Sequence, residues 1–420
     1  MRSATWRLAC HLNYGNSGKV AVIQPSGDSF TVTPIDTCAA ASSPPAQRPI
    51  FLGVNEDLTL RLFDQVTKQI TSVAAFPPHA DPSYAYVDQQ NQRLWFVNDG
   101  DEQGVDALNC GLAGGSSVSL FDPQGGGSYL GTLCIDRGHH VAAFVPPHPS
   151  HPHRAPIAFV SSLLDGTIAV VGNDAADPAT FLQVQSEINL CEPDKERTTA
   201  TKPNNAFPHG MVYSSVTDKV YNLNNGYGTL VVLDPNSQQI TQRIALKGCS
   251  NLLLSPDGRF AIGKGADRKT DPDHVTGIIA VVDLITERVV NTLKLNDIYP
   301  STYRFNPSGT KLYVTSATTG TGTQHANLKK SSLLVYDATA LPQLALLNEV
   351  EVGVADCGRR PIAFTQASSG ANLVFVPNPT AGTLTILAGE SDQVIATVTL
   401  GEANIEEVLF SFWNGHVQGC

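Results

Sequence analysis

The 420-residue chain carries 11 histidines, and several stand where a fold could gather them. His79 in FPPHADPSYAYV, His139 and His140 in DRGHHVAAFV, and His209 in NNAFPHGMVY each lie just before, or at the start of, a β-like apolar run. Neutral imidazole suits copper, iron and zinc, so converging histidines from three such runs would form a transition-metal site. The opposing expectation is that each caps a strand or bonds a backbone carbonyl. His274 in KTDPDHVTG and His325 in GTQHANLKK fall in loops expected at the same end, farther out, where they would reinforce the site. A separate run, PHPSHPH (His148, His151 and His153), sits in a turn expected at the opposite end, either as a solvated turn or as a second metal-binding run; the following Arg154 could orient an anion.

Charged groups accompany these histidines. In GKGADRKTDPDH, Lys264, Arg268 and Lys269 could hold an anionic substrate, while Asp267, Asp271 and Asp273 could order the loop or bind calcium. Arg359 and Arg360 add positive charge near the same mouth. Asp99, in NDGDE, is a candidate general base or metal ligand, or part of an Asx-rich turn. Lys264, Arg268 and Asp99 are thus the candidate catalytic residues. No GxSxG, HExxH, Walker or GxGxxG pattern occurs in a suitable context, which removes the usual handles of serine hydrolases and nucleotide-binding enzymes.

The elements that must position these groups are repeated strands. Short apolar segments recur around Val22, Leu60, Ser119, Ala169, Val231, Ala280, Val335 and Thr385, at intervals between 38 and 62 residues. Several end in an apolar residue plus Asp, followed by a polar turn and another β-rich run, a hairpin signature. Upstream lie further strand pairs joined by SPDG and NPSG turns. Four strands in about 50 residues is the arithmetic of a β-propeller blade. The expected fold is all-β: a single closed β-propeller over residues 1–420 with eight blades, or seven, because the second repeat has a poor inner strand. The C-terminal run NIEEVLFSFW would complete a blade whose other three strands come from the N-terminus, removing exposed edges.

Composition agrees. Only 15% of residues are charged, with 35 Gly and 27 Pro, which favours short strands and turns over solvated helices. The net charge of −11 disfavours nucleic acid as a partner. No apolar stretch approaches the 18 or so residues a membrane-spanning helix requires, and the start lacks a signal-peptide-like apolar segment. Eight Cys in a Lys-poor chain are compatible with disulfides, and so with a periplasmic or secreted protein, although a cytoplasmic location stays open. Cys110 and Cys134 are expected to pair, tying down the NCGLAGGSS insertion; the alternative is two free thiols. The absence of CxxC disfavours c-type haem and a zinc ribbon.

The stretches SPDGRFAIGKG and IIAVVDLITERVVNTLKL resemble YVTN-type propeller repeats. That superfamily includes surface-layer and lactonase-like propellers and the propellers of haem-d1 nitrite reductase and nitrous-oxide reductase. The GHH doublet is similar to the paired histidines of the last, which carries over only to His139 and His140. No cupredoxin-like copper domain is expected within these 420 residues, so the resemblance does not imply nitrous-oxide reduction.

Three functions are expected to compete. The first is a metal-dependent oxidoreductase with copper (alternatives iron, zinc or calcium) held by His79, His139, His140, His209, His274 and His325, acting on a small, anionic substrate with a redox partner. The others are a metal-assisted hydrolase or lactonase, with Asp99 or Asp101 activating water, and a non-catalytic ligand- or cofactor-binding propeller.

Overall fold

The computed structural model describes residues 10–13, 19–26, 29–36, 49–54, 58–64, 69–78, 80, 82–88, 90–98, 110, 115–124, 126–196, 201–318, 325–355, 360–364, 373–399, 407–409, 411–412 and 416–417. Among them are seven four-stranded antiparallel sheets, one three-stranded sheet and one small hairpin, and no α-helix.

Sheet one joins Cys10–Asn13, Lys19–Ser26 and Ser29–Asp36 to the C-terminal strand Glu407–Leu409, with His11 opposite Leu409. Sheet two has three strands, Pro49–Val54, Thr59–Asp64 and Ile70–Ala75. Sheet three runs Pro82–Asp88, Arg93–Asn98, Gly115–Asp122, Ser128–Arg137. Sheet four is His139–Val145, Ile157–Ser162, Thr167–Gly172, Val184–Asn189. Sheet five comprises Pro208–Ser214, Lys219–Asn224, Thr229–Asp234, Gln239–Ala245. Sheet six is Asn251–Leu254, Phe260–Asp267, Thr276–Asp283, Arg288–Asn296. Sheet seven is Pro300–Phe305, Lys311–Ser316, Ser332–Asp337, Ala345–Glu351. Sheet eight is Ala363–Phe364, Leu373–Asn378, Thr383–Ala388, Val394–Thr399.

Sheets four to eight repeat one burial gradient. Ile157–Ser162 and Thr167–Gly172 are buried at every position, whereas the fourth strand of sheet seven, Ala345–Glu351, is mostly exposed. Second and third strands lie between neighbouring sheets and are covered on both faces, which is why they read as continuous Val, Ile and Leu runs. The core clusters span sheet seams: Phe159, Val170, Val220 and Val231 link sheets four and five, and Ile262, Ile279, Leu312 and Val314 link sheets six and seven.

The hairpins explain the recurring terminal Asp. Asp122, Asp234, Asp283 and Asp337 each accept a hydrogen bond at Oδ1 from the backbone N–H two residues later, at 2.8–2.9 Å. Each is an Asx turn that starts the return strand. The next pairing carries a β-bulge at one equivalent place in sheets four to eight, between Val170/Val171, Val232/Leu233, Val281/Val282, Val335/Tyr336 and Ile386/Leu387. A bulge increases local twist, as packing successive sheets face to face demands.

Cys110 and Cys134 form a disulfide, joining the connection between the second and third strands of sheet three to its fourth strand.

Candidate functional site

Strand register shows which residues share the inner rim. Met211 pairs with Asn222, Ala142 with Val160 and Tyr303 with Val314, in each case two residues before the end of the second strand. Two residues upstream lie His209 in sheet five, His140 in sheet four and Ser301 in sheet seven. In sheet eight, Ala363 pairs with Phe375, which puts Arg360 at the same level. The register shifts here in sheets four, five and seven, between His139 and Ala142, Pro208 and Gly210, and Pro300 and Tyr303. A bulge thus re-aims the rim residue in each.

Contacts between sheets six, seven and eight show that Ser301 and Arg360 are neighbours, with Lys264 beside them. The Arg360 N–H donates to Ser301 Oγ at 3.1 Å, and Thr315 Oγ1 donates to the Arg360 carbonyl at 3.0 Å. Lys264 reaches the carbonyls of Pro300 (3.2 Å) and Ser301, with its ammonium over the Tyr303 ring. Beside His209, an added Cβ on Gly210 would stand 2.7 Å from the backbone N of Leu252. Only glycine permits this close approach of adjacent inner strands.

Below the rim, a cavity of about 330 Å³ is lined by inner-strand residues of four consecutive sheets, including Ala85, Tyr86, Ala142, Phe144, Met211 and Tyr213. Its walls are the strands that start at the rim.

The other sequence candidates separate into groups. Of His79 and Asp99 nothing is described, and the side chains of His139 and His140 likewise lie outside the described residues. His209 is half-buried at the rim. His274 and His325 occupy adjoining second-to-third-strand loops, as expected, and among the described residues they form no group of three ligands with His209. His274 pairs through Nδ1 with Asp297 at 2.8 Å and meets Asn327 Nδ2 at Nε2, 3.2 Å away. The Asp297 hydrogen bond raises its pKa above the ordinary value. His325, only 2% exposed, donates Nδ1–H to the Pro272 carbonyl at 3.0 Å. Arg268 stacks its guanidinium over Tyr299, and Asp267 caps its own loop through the N–H groups of Lys269 and Thr270. Lys264 and Arg268 are thus engaged by neighbouring backbone and aromatic groups.

At the opposite end, the PHPSHPHR turn of sheet four packs on the equivalent turn of sheet five. Among the described residues, the one group of three ligand-bearing side chains within 4.8 Å is His148, His151 and Asp218. Asp218 is already saturated. Its Oδ1 accepts from Arg154 Nη2 (2.6 Å) and Tyr213 Oη (2.9 Å); its Oδ2 accepts from Arg154 Nη1 (2.9 Å) and His151 Nδ1 (2.9 Å). Burial alone would raise the carboxyl, but the Arg154, Tyr213 and His151 hydrogen bonds outweigh it and hold the pKa at about 2. Burial and Asp218 together push the Tyr213 phenol up to about 12. His148 donates Nε2–H to the Ser215 carbonyl at 2.9 Å, while Nδ1, 3.6 Å from Asp218, accepts from Ser150 Oγ at 2.6 Å and from the Ser150 N–H at 3.2 Å, so both ring nitrogens are engaged. A cation bound to Asp218 would therefore lie beside the Arg154 guanidinium, which opposes it electrostatically.

Sequence reading missed Tyr213 and Asp218. The usable signal was repeat alignment: SSVTDK in sheet five occupies the same first-to-second-strand turn as PHPSHPHR in sheet four. The anion that Arg154 orients is the protein's own Asp218.

No protein-family model matches the chain, and no curated protein matches it in sequence. Solved structures do. The chain is similar to Kuenenia stuttgartiensis hydrazine synthase at 13% identity and TM-score 0.52, covering 83% of this chain and 97% of that one. A candidate 6-phosphogluconolactonase from Bacteroides uniformis gives 13% identity and TM-score 0.53 over 89% and 100% of the two chains. A protein from Lactobacillus plantarum gives 15% and 0.51 over 83% and 93%. The first two are β-propellers, and at these identities the likeness is one of fold.

Proposed function

We propose that the chain is a closed eight-bladed propeller of the YVTN-like group, working as a metal-dependent oxidoreductase on a small molecule admitted to its channel. Sheet two completes the ring as the blade with the weak inner strand, and Glu407–Leu409 pairs with Cys10–Asn13 to clasp it. The observation that carries the metal assignment is the rim register: His140 and His209 occupy equivalent positions on adjacent sheets, above the cavity. His139 and His79, adjacent in sequence to the starts of their inner strands, would complete the ligand set. Copper is the first expectation for imidazole ligands, with iron or zinc as alternatives.

In this reading the metal supplies the redox chemistry. The chain's own residues do the positioning: bulged strand starts aim the imidazoles, Gly210 holds neighbouring strands close, and the Ala142, Phe144 and Met211 walls exclude water. The disulfide supports an oxidising compartment, periplasmic or secreted. No helix among the described residues is long and apolar enough to cross a membrane.

The His148, His151 and Asp218 grouping favours a second reading, in which the metal sits at the opposite end. Elemental analysis of untagged protein, with single His variants at each end, separates the two. A bound transition metal that is lost on changing a rim histidine supports the first reading.

A further inference from the structure

The cavity of about 330 Å³ is walled by consecutive residues of the first strands: 85–87 in sheet three, 142–144 in sheet four and 211–213 in sheet five, with Leu254 of sheet six. Successive residues of a strand point to opposite faces, so three in a row can border one space only along the strand's edge. Each of these strands pairs on one side alone, with the second strand of its sheet. The other edge turns backbone N–H and C=O groups toward the cavity, between the apolar and aromatic side chains of Tyr86, Phe144 and Met211. A concave, mostly apolar wall with a few polar groups is the usual form of a small-molecule site.

This wall selects against charge. Every described residue that lines it is uncharged. Tyr213 donates its phenol O–H to Asp218 at 2.9 Å and, with its pKa pushed up to about 12, stays neutral. The cations an anion would need are engaged elsewhere, Lys264 by the carbonyls of Pro300 and Ser301 and Arg268 by the Tyr299 ring. An anion entering the cavity would give up its hydration without gaining a counter-charge from these groups, whereas an apolar molecule gains by leaving water. The volume is about twice the ~150 Å³ that takes up one benzene ring, which corresponds to two fused rings. We infer that the channel cavity binds an uncharged, largely apolar molecule of two-ring size that carries a hydroxyl or carbonyl group. The hydroxyl or carbonyl meets the strand-edge backbone, and the rings lie against Phe144 and Met211. This names the substrate class of the proposed oxidoreductase, in place of the anion expected from Lys264 and Arg268, and rests on that reading only in taking the channel as the substrate's path.

The test titrates the whole chain calorimetrically with 2-naphthol and with 2-naphthoate at neutral pH, metal content being measured on the same sample. The two probes share a ring system and differ in charge. Saturable binding of 2-naphthol is expected, with 2-naphthoate weaker by about tenfold or more because its carboxylate must be desolvated. Ala85 is exposed on the cavity wall, so Ala85→Trp should fill the space and abolish naphthol binding. Wild-type crystals soaked in 6-bromo-2-naphthol should show an anomalous bromine peak between the first strands of sheets three to five, a readout that does not depend on the variant folding. No binding of 2-naphthol, equal binding of the two probes, or a bromine peak away from those strands overturns the proposal. Naphthol binding by protein that holds no metal would uphold this site and remove the metal reading; bound metal without naphthol binding would do the reverse.

Discussion

Arg154 and Asp218, from equivalent turns of sheets four and five, hold each other through two hydrogen bonds of 2.6 and 2.9 Å, with both side chains only 8% exposed. Tyr213 joins the same carboxylate and also lines the cavity between the first strands of sheets three to six, so this seam lies beside that cavity. The two ends are thus built differently: one locked by an ion pair, one furnished with histidines.

Replacing Asp218 by Asn should be strongly destabilising, by roughly 3 kcal/mol, because it leaves Arg154 buried without its counter-charge. Arg154→Met together with Asp218→Asn should cost less than the sum of the two single changes, a coupling readable from denaturant unfolding. Additive losses would mean that the pair contributes no mutual energy.

The same carboxylate sets an acid limit. Its folded pKa of about 2 lies below the ordinary 3.8, so its contribution is present above about pH 4 and is lost as pH falls toward 2. The loss should be about 2 kcal/mol in wild type, since one pKa unit is worth about 1.4 kcal/mol. Asp218→Asn should flatten that part of the stability-pH curve.

His274 behaves oppositely. The Asp297 hydrogen bond raises its pKa, so its stabilising contribution is complete below the ordinary value of 6.5 and fades as pH rises through the folded value. The NMR titration of its ring should have a midpoint above 6.5 in wild type, and Asp297→Asn should lower it. An unchanged midpoint would reject the pairing as the cause.

The Cys110–Cys134 bridge closes a segment with a sequence separation of 24, for which chain entropy gives about 3 kcal/mol. Reduction, or Cys134→Ser, should lower the melting temperature. Nonreducing peptide mapping should recover the two cysteines as one linked species; finding both as free thiols would contradict the bridge.

Strand repetition was legible because sheet burial writes itself into sequence: second and third strands covered on both faces become Val- and Ile-rich runs, and the Asp that ends the third strand of sheets three, five, six and seven makes an Asx turn. The three described strands of sheet two coincide with the repeat near PIFLGVNEDLTLRLFD, whose inner strand reads poorly in the sequence. Placement of His274 and His325 at one end followed from loop order alone. Their engagement with Asp297, Asn327 and Pro272 did not, because partners 23 to 53 residues away depend on how adjacent loops meet. Lys264 likewise reads as a surface cation in GKGADRK, yet its ammonium is tied to the next sheet's main chain. Asp218 lay beyond composition or motif, since TDK is an ordinary turn until the neighbouring PHPSHPHR is folded against it.

The proposed site places a transition metal on the rim histidines rather than on the His148–His151–Asp218 seam. The most direct measurement is elemental analysis of untagged wild type, His209→Ala and His151→Ala, each purified identically after confirming the fold by circular dichroism. Metal is expected in wild type, retained in His151→Ala and lost in His209→Ala together with any redox activity. Equal metal content in wild type and His209→Ala would contradict it.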